Sequence, residues 1–413
     1  MTADASTAAL APVQANDRLF SLDVIRGLAV LGILAVNAVT FAWPSEVYSN
    51  PSLQPGFDAG AAAGWQVMHV FFQDKMRTLF SMLFGASIFL IGGQRFDEAR
   101  GKLLRSRLFW LAVFGLIHGA AFWYGDILLL YAWTGVFVMM ARSWSARRLL
   151  IVGVSLNLVC SGLYVGLMSI LAFAPPEALA SAMDGSGWRT DPARLASLVE
   201  AYRGGALEVS LHQLMEWVSG TPFLLFAVLP ATAALMLIGM GLFKAGFLAG
   251  RSPTWVYALF IALGAGALWL IHQETTRIVA ADFPFVQTLA RPANTFLSPF
   301  ASLAYASALI LMAKFGLRVL LTPFACAGRM AFTNYLTQTL IMTTIFYGGR
   351  GLGWFGHIGW PELWWVIGGV WVAQLIWSPL WLSVFRFGPL EWAWRCLTYK
   401  RMMPLRKAAV ARG

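Results

Sequence analysis

The sequence predicts an all-α, polytopic transmembrane helix bundle of about ten spans, with both termini inside and one long external connection that carries an amphipathic helix. Three observations predict it. Of the 413 residues, 59% are hydrophobic and only 12% are Asp, Glu, Lys or Arg, about half the charged fraction of a soluble domain. Runs of about 20 apolar residues, the length that crosses a bilayer's hydrocarbon layer, recur along the chain. Finally, the basic residues sit in alternate short loops, as they do when Lys and Arg are retained on the cytoplasmic side. The net charge of +11 is therefore mostly topology, not a nucleic-acid surface, and an ordinary soluble enzyme is excluded.

Residues 1–17 are Ala-rich and polar and read as a cytoplasmic tail. The first span, near 22–43, ends in Trp43-Pro44-Ser45 without a small-residue cleavage pattern, so it reads as a retained span instead of a signal peptide. Further spans fall near 62–92, 105–122, 126–141, 148–174, 221–244, 253–272, 293–315, 324–347 and 361–385. Together they make a bundle over 18–395, followed by a basic cytoplasmic tail over 396–413. Loops after the even-numbered spans hold Arg95, Arg100, Lys102 and Arg105, then Arg142, Arg147 and Arg148, then Lys244 and Arg251, then Lys314 and Arg318. The loop after span one holds Glu46 and Asp58 without Lys or Arg and faces outward. The connection over about 175–220 is external by the same count. Its Leu195, Leu198, Tyr202 and Leu207 spacing predicts one amphipathic helix between Pro192 and Val218, either a lid or a surface connection. Trp360, Trp364 and Trp365 read as aromatic belt.

Ionisable and amide side chains inside such runs are expensive, so each needs a partner or a cavity. Asp23 and Arg26 share a helical face near the cytoplasmic end. Asn37, about three turns on, offers an amide either to a bound carbonyl or to a neighbouring helix. Span two carries Gln73-Asp74-Lys75-Met76-Arg77 in its middle, which implies a break or a water-filled cavity. Lys75 and Arg77 there either meet an anionic ligand, or Asp74 neutralises one of them inside the bundle. His69, one turn outward, reads as a bundle histidine. Where spans three and four meet, a short Gly-containing turn brings His118 back toward Asp126. A carboxylate on one imidazole nitrogen fixes the tautomer and leaves the other as a general base, or as a site of acyl capture; the alternative is a buried pair that only fastens the turn. In span nine Arg329, Thr333, Asn334 and Gln338 recur at helical intervals, as one polar stripe that lines a substrate path or locks helices together. No nucleotide loop, metal-ligand spacing or G-x-S-x-G elbow occurs, and Cys160, Cys326 and Cys396 have no paired spacing.

The opening Leu22-Asp23-Val24-Ile25-Arg26-Gly27-Leu28-Ala29 with Asn37 resembles that of the YeiB-like membrane proteins. Phe80 to Gly85, His118 to Asp126, Gly328 to Gln338 and Gly388 to Arg395 are similar to further landmarks of that family and span nearly the whole chain. More remotely, the Asp23 to Asn37 opening resembles the transmembrane acyltransferases, among them the lysosomal heparan-glucosaminide acetyltransferase. That resemblance implies transfer of an acyl group from cytosolic acyl-CoA, such as acetyl-CoA, to a small-molecule or glycan hydroxyl or amine beyond an inner membrane. On that reading His118 is the base or transient acyl carrier, Asp126 its orienter and Asn37 an oxyanion donor, while Arg26, Lys75 and Arg77 hold the donor's anionic parts. The competing expectation is a carrier or exporter of a small polar or anionic solute that uses the same residues as an intramembrane site. Neither expectation involves a metal or a nucleic acid.

Overall fold

The computed structural model describes residues 19–94 and 96–407. The predicted tail 1–17, Arg95 and the end of the C-terminal tail lie outside the described residues. Among the described residues the regular elements are helices, apart from one isolated bridge between Phe385 and Arg406.

The first helix, α1 (Phe20–Ala42), is apolar beyond Arg26 apart from Asn37 and Thr40, and 72% of its most apolar window is buried against other helices, which makes it the centre of the bundle. A short outer turn, α2 (Ser45–Ser49), leads to α3 (Ala59–Phe71), which starts where the Asp58 carboxylate accepts the Ala61 N–H at 2.8 Å. Its inward continuation is α4 (Lys75–Gly92). Between them Asp74 sits at φ +63°, a left-handed conformation that ends one helix and starts the next. This is the interruption expected within span two. Helices α5 (Glu98–Ala121), capped by Asp97, and α6 (Leu128–Val138) form a hairpin around residues 122–127. Capped by Ser145, α7 (Ala146–Ile170) has only 17% of its window buried and lies at the periphery.

The connection expected to be external contains α8 (Pro176–Gly185) and α9 (Pro192–Arg203), followed by α10 (Ala206–Phe226) and α11 (Leu229–Lys244), which bend by 55°. The predicted single helix over 192–218 is thus two. Gly204-Gly205 interrupts it, because two residues without side chains give the helix nothing to pack and the most backbone freedom to lose. On α9 Leu195 and Tyr202 are buried as expected, whereas Leu207, beyond the break, is exposed. Tyr202 stacks on Phe355 at 4.2 Å between centroids and donates to Glu216 at 2.7 Å, so α9 is docked on the outer end of the bundle.

The chain then runs through α12 (Thr254–Ala280), α13 (Phe285–Ala290), α14 (Pro292–Lys314), α15 (Arg318–Arg329), α16 (Ala331–Phe346), α17 (Trp360–Val384) and α18 (Pro389–Tyr399). Among the described residues seven segments are long and apolar enough to cross a membrane, or eight if α10 and α11 are one bent span. The two other predicted spans are the short α6 and the pair α15–α16, which breaks at Met330. The protein is a polytopic helical membrane protein.

One of the tightest helix approaches in the bundle is between α1 and α15. A Cβ on Gly27 would lie 1.9 Å from the Phe324 carbonyl oxygen, and one on Gly328 would lie 1.9 Å from that of Asp23. Lipid tails are as apolar as Leu, so membrane helices gain little from apolar contact alone and associate through close backbone packing at small residues. Gly27→Ala must therefore push the two helices apart, an overpacking cost of about 1–3 kcal/mol. The melting temperature of the detergent-solubilised protein should fall with Gly27→Ala and stay unchanged with Gly162→Ala, whose face is open.

Candidate functional site

The packing of α1 on α15 leaves a cavity of about 290 Å³ between α1, α4, α5, α6, α16 and α18. Along α1 its wall runs from Leu19 to Ile33, which at 1.5 Å per residue is about 21 Å of depth. It opens at the end of the bundle that carries the basic loops. The mouth is lined by Arg26, Arg107, Arg329, Arg386 and Arg395, facing only two carboxylates, Asp23 and Glu391.

Neither carboxylate is free to neutralise the rest. Asp23 pairs with Arg26 at 3.1 Å. Glu391, on α18, caps α16 instead: its carboxylate accepts from the N–H groups of Phe332 at 2.7 Å and Thr333 at 3.1 Å, and from the Thr333 hydroxyl at 2.6 Å. Arg107 stacks on the Trp394 ring at 3.6 Å and Arg395 on Phe387 at 4.6 Å, which orients both guanidiniums while leaving charge unspent. The Arg329 Nε is buried without a hydrogen-bond partner.

Deeper in, the wall is apolar, formed by Ile33, Phe84, Leu111, Ile127 and Phe332 with the rings of Tyr131 and Tyr335. Behind Tyr335 lies His118, its ring 5.4 Å away between centroids. The expected return of the α5–α6 turn is present: His118 Nδ1 is 2.8 Å from Asp126 Oδ1, and both side chains are buried. The other carboxylate oxygen accepts the Leu129 N–H at 2.9 Å and so starts α6. The remaining imidazole nitrogen, Nε2, is 2.9 Å from the Thr339 hydroxyl. Asn37 is half-buried on the outer half of α1 and is not among the partners of His118 or Asp126.

Lys75 and Arg77 lie away from the cavity, at the break between α3 and α4. The break strips carbonyls of the last turn of α3 of their helical partners, and each is satisfied from outside. Lys75 Nζ donates to the His69 carbonyl at 2.9 Å and to Asn294 Oδ1, and the Tyr305 hydroxyl donates to the Phe71 carbonyl at 3.0 Å. Asn294 also donates to Asp74 at 2.7 Å, and Arg77 pairs with Asp74 at 3.5 Å. Asp74 thus takes one of the two cations, Arg77, as its ion-pair partner, while Arg77 Nη1 is buried without a hydrogen-bond partner. His69 stacks on Trp65 at 4.7 Å as part of the same packing.

The stripe on span nine divides. Arg329 ends α15 and faces the cavity, whereas Asn334 and Gln338 belong to α16. Asn334 donates to the Ala327 carbonyl and Ser378 at 3.1 Å and accepts from Trp377 at 2.8 Å; Gln338 donates to Val30 and Gln374. These amides join α1, α16 and α17, the locking role rather than the lining one. Within the aromatic set Trp365 is exposed as a belt residue would be, but Trp360 is buried. Among the described residues no group of three His, Cys, Asp or Glu is placed to hold a metal ion.

A family model described as "Protein of unknown function (DUF418)" matches residues 242–401. "Uncharacterized protein YeiB" of Escherichia coli (strain K12) is 32% identical over 406 residues, covering 94% of this chain and 98% of its own. The chain belongs to the YeiB-like family. "Uncharacterized protein YxaH" of Bacillus subtilis (strain 168) is likewise 32% identical, over 96% of this chain and 98% of its own, and "Uncharacterized 39.9 kDa protein in amylase 3'region" of Bacillus acidopullulyticus is 25% identical over 95% and 97%. No solved structure matches the chain.

The YeiB-like landmarks meet in space. Gly27 of the first motif touches Gly328 of another, and Glu391 of the last caps the helix that carries Asn334 and Gln338. Sequence reasoning missed Arg107, Arg386, Arg395, Tyr335 and Thr339. The available signals were Gly388 to Arg395, quoted without a role, and the hydroxyl next to Gln338. Lys75→Met leaves the His69 carbonyl and the Asp74 charge under-satisfied, at a cost of about 3–5 kcal/mol, whereas Tyr305→Phe removes one neutral hydrogen bond worth about 1 kcal/mol. Thermal melts in detergent should rank the two variants in that order.

Proposed function

We propose that this YeiB-like protein is an inner-membrane acyltransferase that takes an acyl group from acyl-CoA on the cytoplasmic side and passes it to a hydroxyl or amine acceptor at the outer face. The observation that carries the reading is the cavity: an arginine-rimmed mouth continues into an apolar channel that ends against the Tyr335 ring, with a His–Asp pair behind that ring. Acyl-CoA has this polarity, with phosphates at one end and a slender thioester arm at the other. Arginines suit the phosphates because each guanidinium offers several fixed donors and is weakly hydrated. Apolar walls suit the arm, and buried donors exclude the water that would hydrolyse the thioester. Of the donor residues expected from sequence, Arg26 keeps that role, and Arg107, Arg329 and Arg395 replace Lys75 and Arg77. The cytoplasmic orientation of the mouth rests on the Lys/Arg alternation, and the choice of inner membrane on the bacterial relatives.

One observation favours the carrier reading: charged residues beside a broken helix, as at α3–α4, build solute sites in transporters. The weight lies with acyl transfer because the ammonium and carboxamide groups at that break are already engaged within the protein.

Acetyl-CoA should raise the melting temperature of the detergent-solubilised protein, since a ligand bound only to the folded state stabilises it by about 2.7 kcal/mol at a hundred times its Kd. Arg329→Gln and Arg395→Gln should each weaken binding by about 10- to 100-fold, the worth of one charge-assisted hydrogen bond. No shift with any CoA thioester at millimolar concentration, together with uptake of unmodified solute into proteoliposomes, would favour the carrier.

A further inference from the structure

We infer that Thr339 is a nucleophile that carries the acyl group as an ester, activated by His118 and Asp126; the inference rests on the acyltransferase reading above. The three side chains form one relay. An ionised carboxylate only accepts hydrogen bonds, so Asp126 Oδ1 at 2.8 Å places the imidazole proton on Nδ1. Nε2 then holds the lone pair, and the hydroxyl 2.9 Å away must be its donor. This is the arrangement of a Ser-His-Asp triad with a threonine in the nucleophile's place.

The Thr339 hydroxyl departs from the commoner behaviour of threonines on α16, as does that of Thr333, which donates to Glu391. Thr337, Thr343 and Thr344, on the same helix, each donate to the carbonyl one turn back, at 2.9, 2.8 and 2.7 Å. That is the ordinary resting place of a hydroxyl within a helix. The Thr339 hydroxyl is directed across to α5 instead. Acyl capture on the imidazole itself would need a free nitrogen, and Asp126 and Thr339 hold both. Tyr335, one turn before Thr339 on α16, packs on His118 and forms the inner wall of the cavity. That ring must therefore move before a thioester lying along the channel can reach the relay.

The chemistry balances without a further reactant. Thr339 Oγ attacks the thioester carbonyl as its proton passes to His118 Nε2; the acyl C–O bond forms, the C–S bond breaks, and the imidazolium proton goes to the leaving sulfur, giving CoA thiol. In the second half the acceptor hydroxyl or amine gives its proton to Nε2 and attacks the ester, and that proton returns to Thr339 Oγ as the acyl group leaves.

The test is acid quenching of purified protein after incubation with acetyl-CoA without acceptor, followed by intact-mass and peptide analysis. One acetyl group should appear on the peptide containing Thr339 in the wild type and in Thr339→Ser, and be absent from Thr339→Val and His118→Gln. Melting temperature and acetyl-CoA binding of all four proteins show whether a variant has merely unfolded. An acetyl group that survives Thr339→Val, or Thr339→Val turnover within twofold of wild type when acceptor is present, overturns the threonine ester while leaving acyl transfer standing. Absence of both acetyl-CoA binding and CoA release in the wild type overturns acyl transfer itself, and the ester with it.

Discussion

The contact on which the rest depends is the backbone approach of α1 and α15 at Gly27 and Gly328, where any Cβ would collide with a main-chain oxygen of the other helix. It fixes the central helix against the last third of the chain and sets Arg26 beside Arg329 at one rim. Because α15 ends immediately after Gly328, the chain restarts as α16, whose first N–H groups need acceptors inside the membrane. Glu391 supplies them. That one carboxylate ties α18 to α16 and thereby brings Arg395 and Trp394 to the mouth, opposite Arg107. The cavity is the space left when these constraints are met together.

A bilayer punishes unsatisfied polar groups, and the scaffold answers many of them from within the protein. At the α3–α4 break, the Lys75 ammonium, the Asn294 amide and the Tyr305 hydroxyl all have partners inside the protein. At the α16–α17 contact Asn334 and Gln338 are likewise engaged. The mouth differs in holding guanidiniums in surplus over carboxylates beside an apolar channel; buried nitrogens without a partner occur at both places, on Arg329 at the mouth and on Arg77 and His69 at the break. A positive field beside an apolar channel attracts an amphipathic anion, and low local dielectric strengthens that attraction.

Local features were legible in the sequence and distant conjunctions were not. Hydrophobic run length predicts the spans, Gln73 to Arg77 predicts the break, and the short turn predicts the His118–Asp126 pair, because each is settled by residues within about ten positions. Periodicity also ran straight through two interruptions, at Gly204-Gly205 and at Met330, and so joined Leu207 to the wrong helix and Arg329 to the wrong stripe. Arg107, Arg386 and Arg395 have no site reading in the sequence because charge counting assigns a side, not a direction. Thr339 was passed over because a hydroxyl in an apolar helix ordinarily bonds its own backbone, and only the fold shows that this one reaches across to His118.

The central claim is that the cavity receives an acyl-CoA, head outward and thioester inward. The most direct measurement is a cryo-EM map of the full chain in lipid nanodiscs with a thioether analogue of acetyl-CoA that cannot transfer its acyl group. The account predicts density with phosphates in contact with Arg329, Arg395 and Arg107, and an arm running along α1 to the Tyr335 ring. Density seated at the α3–α4 break, or an empty cavity at saturating analogue, would contradict it.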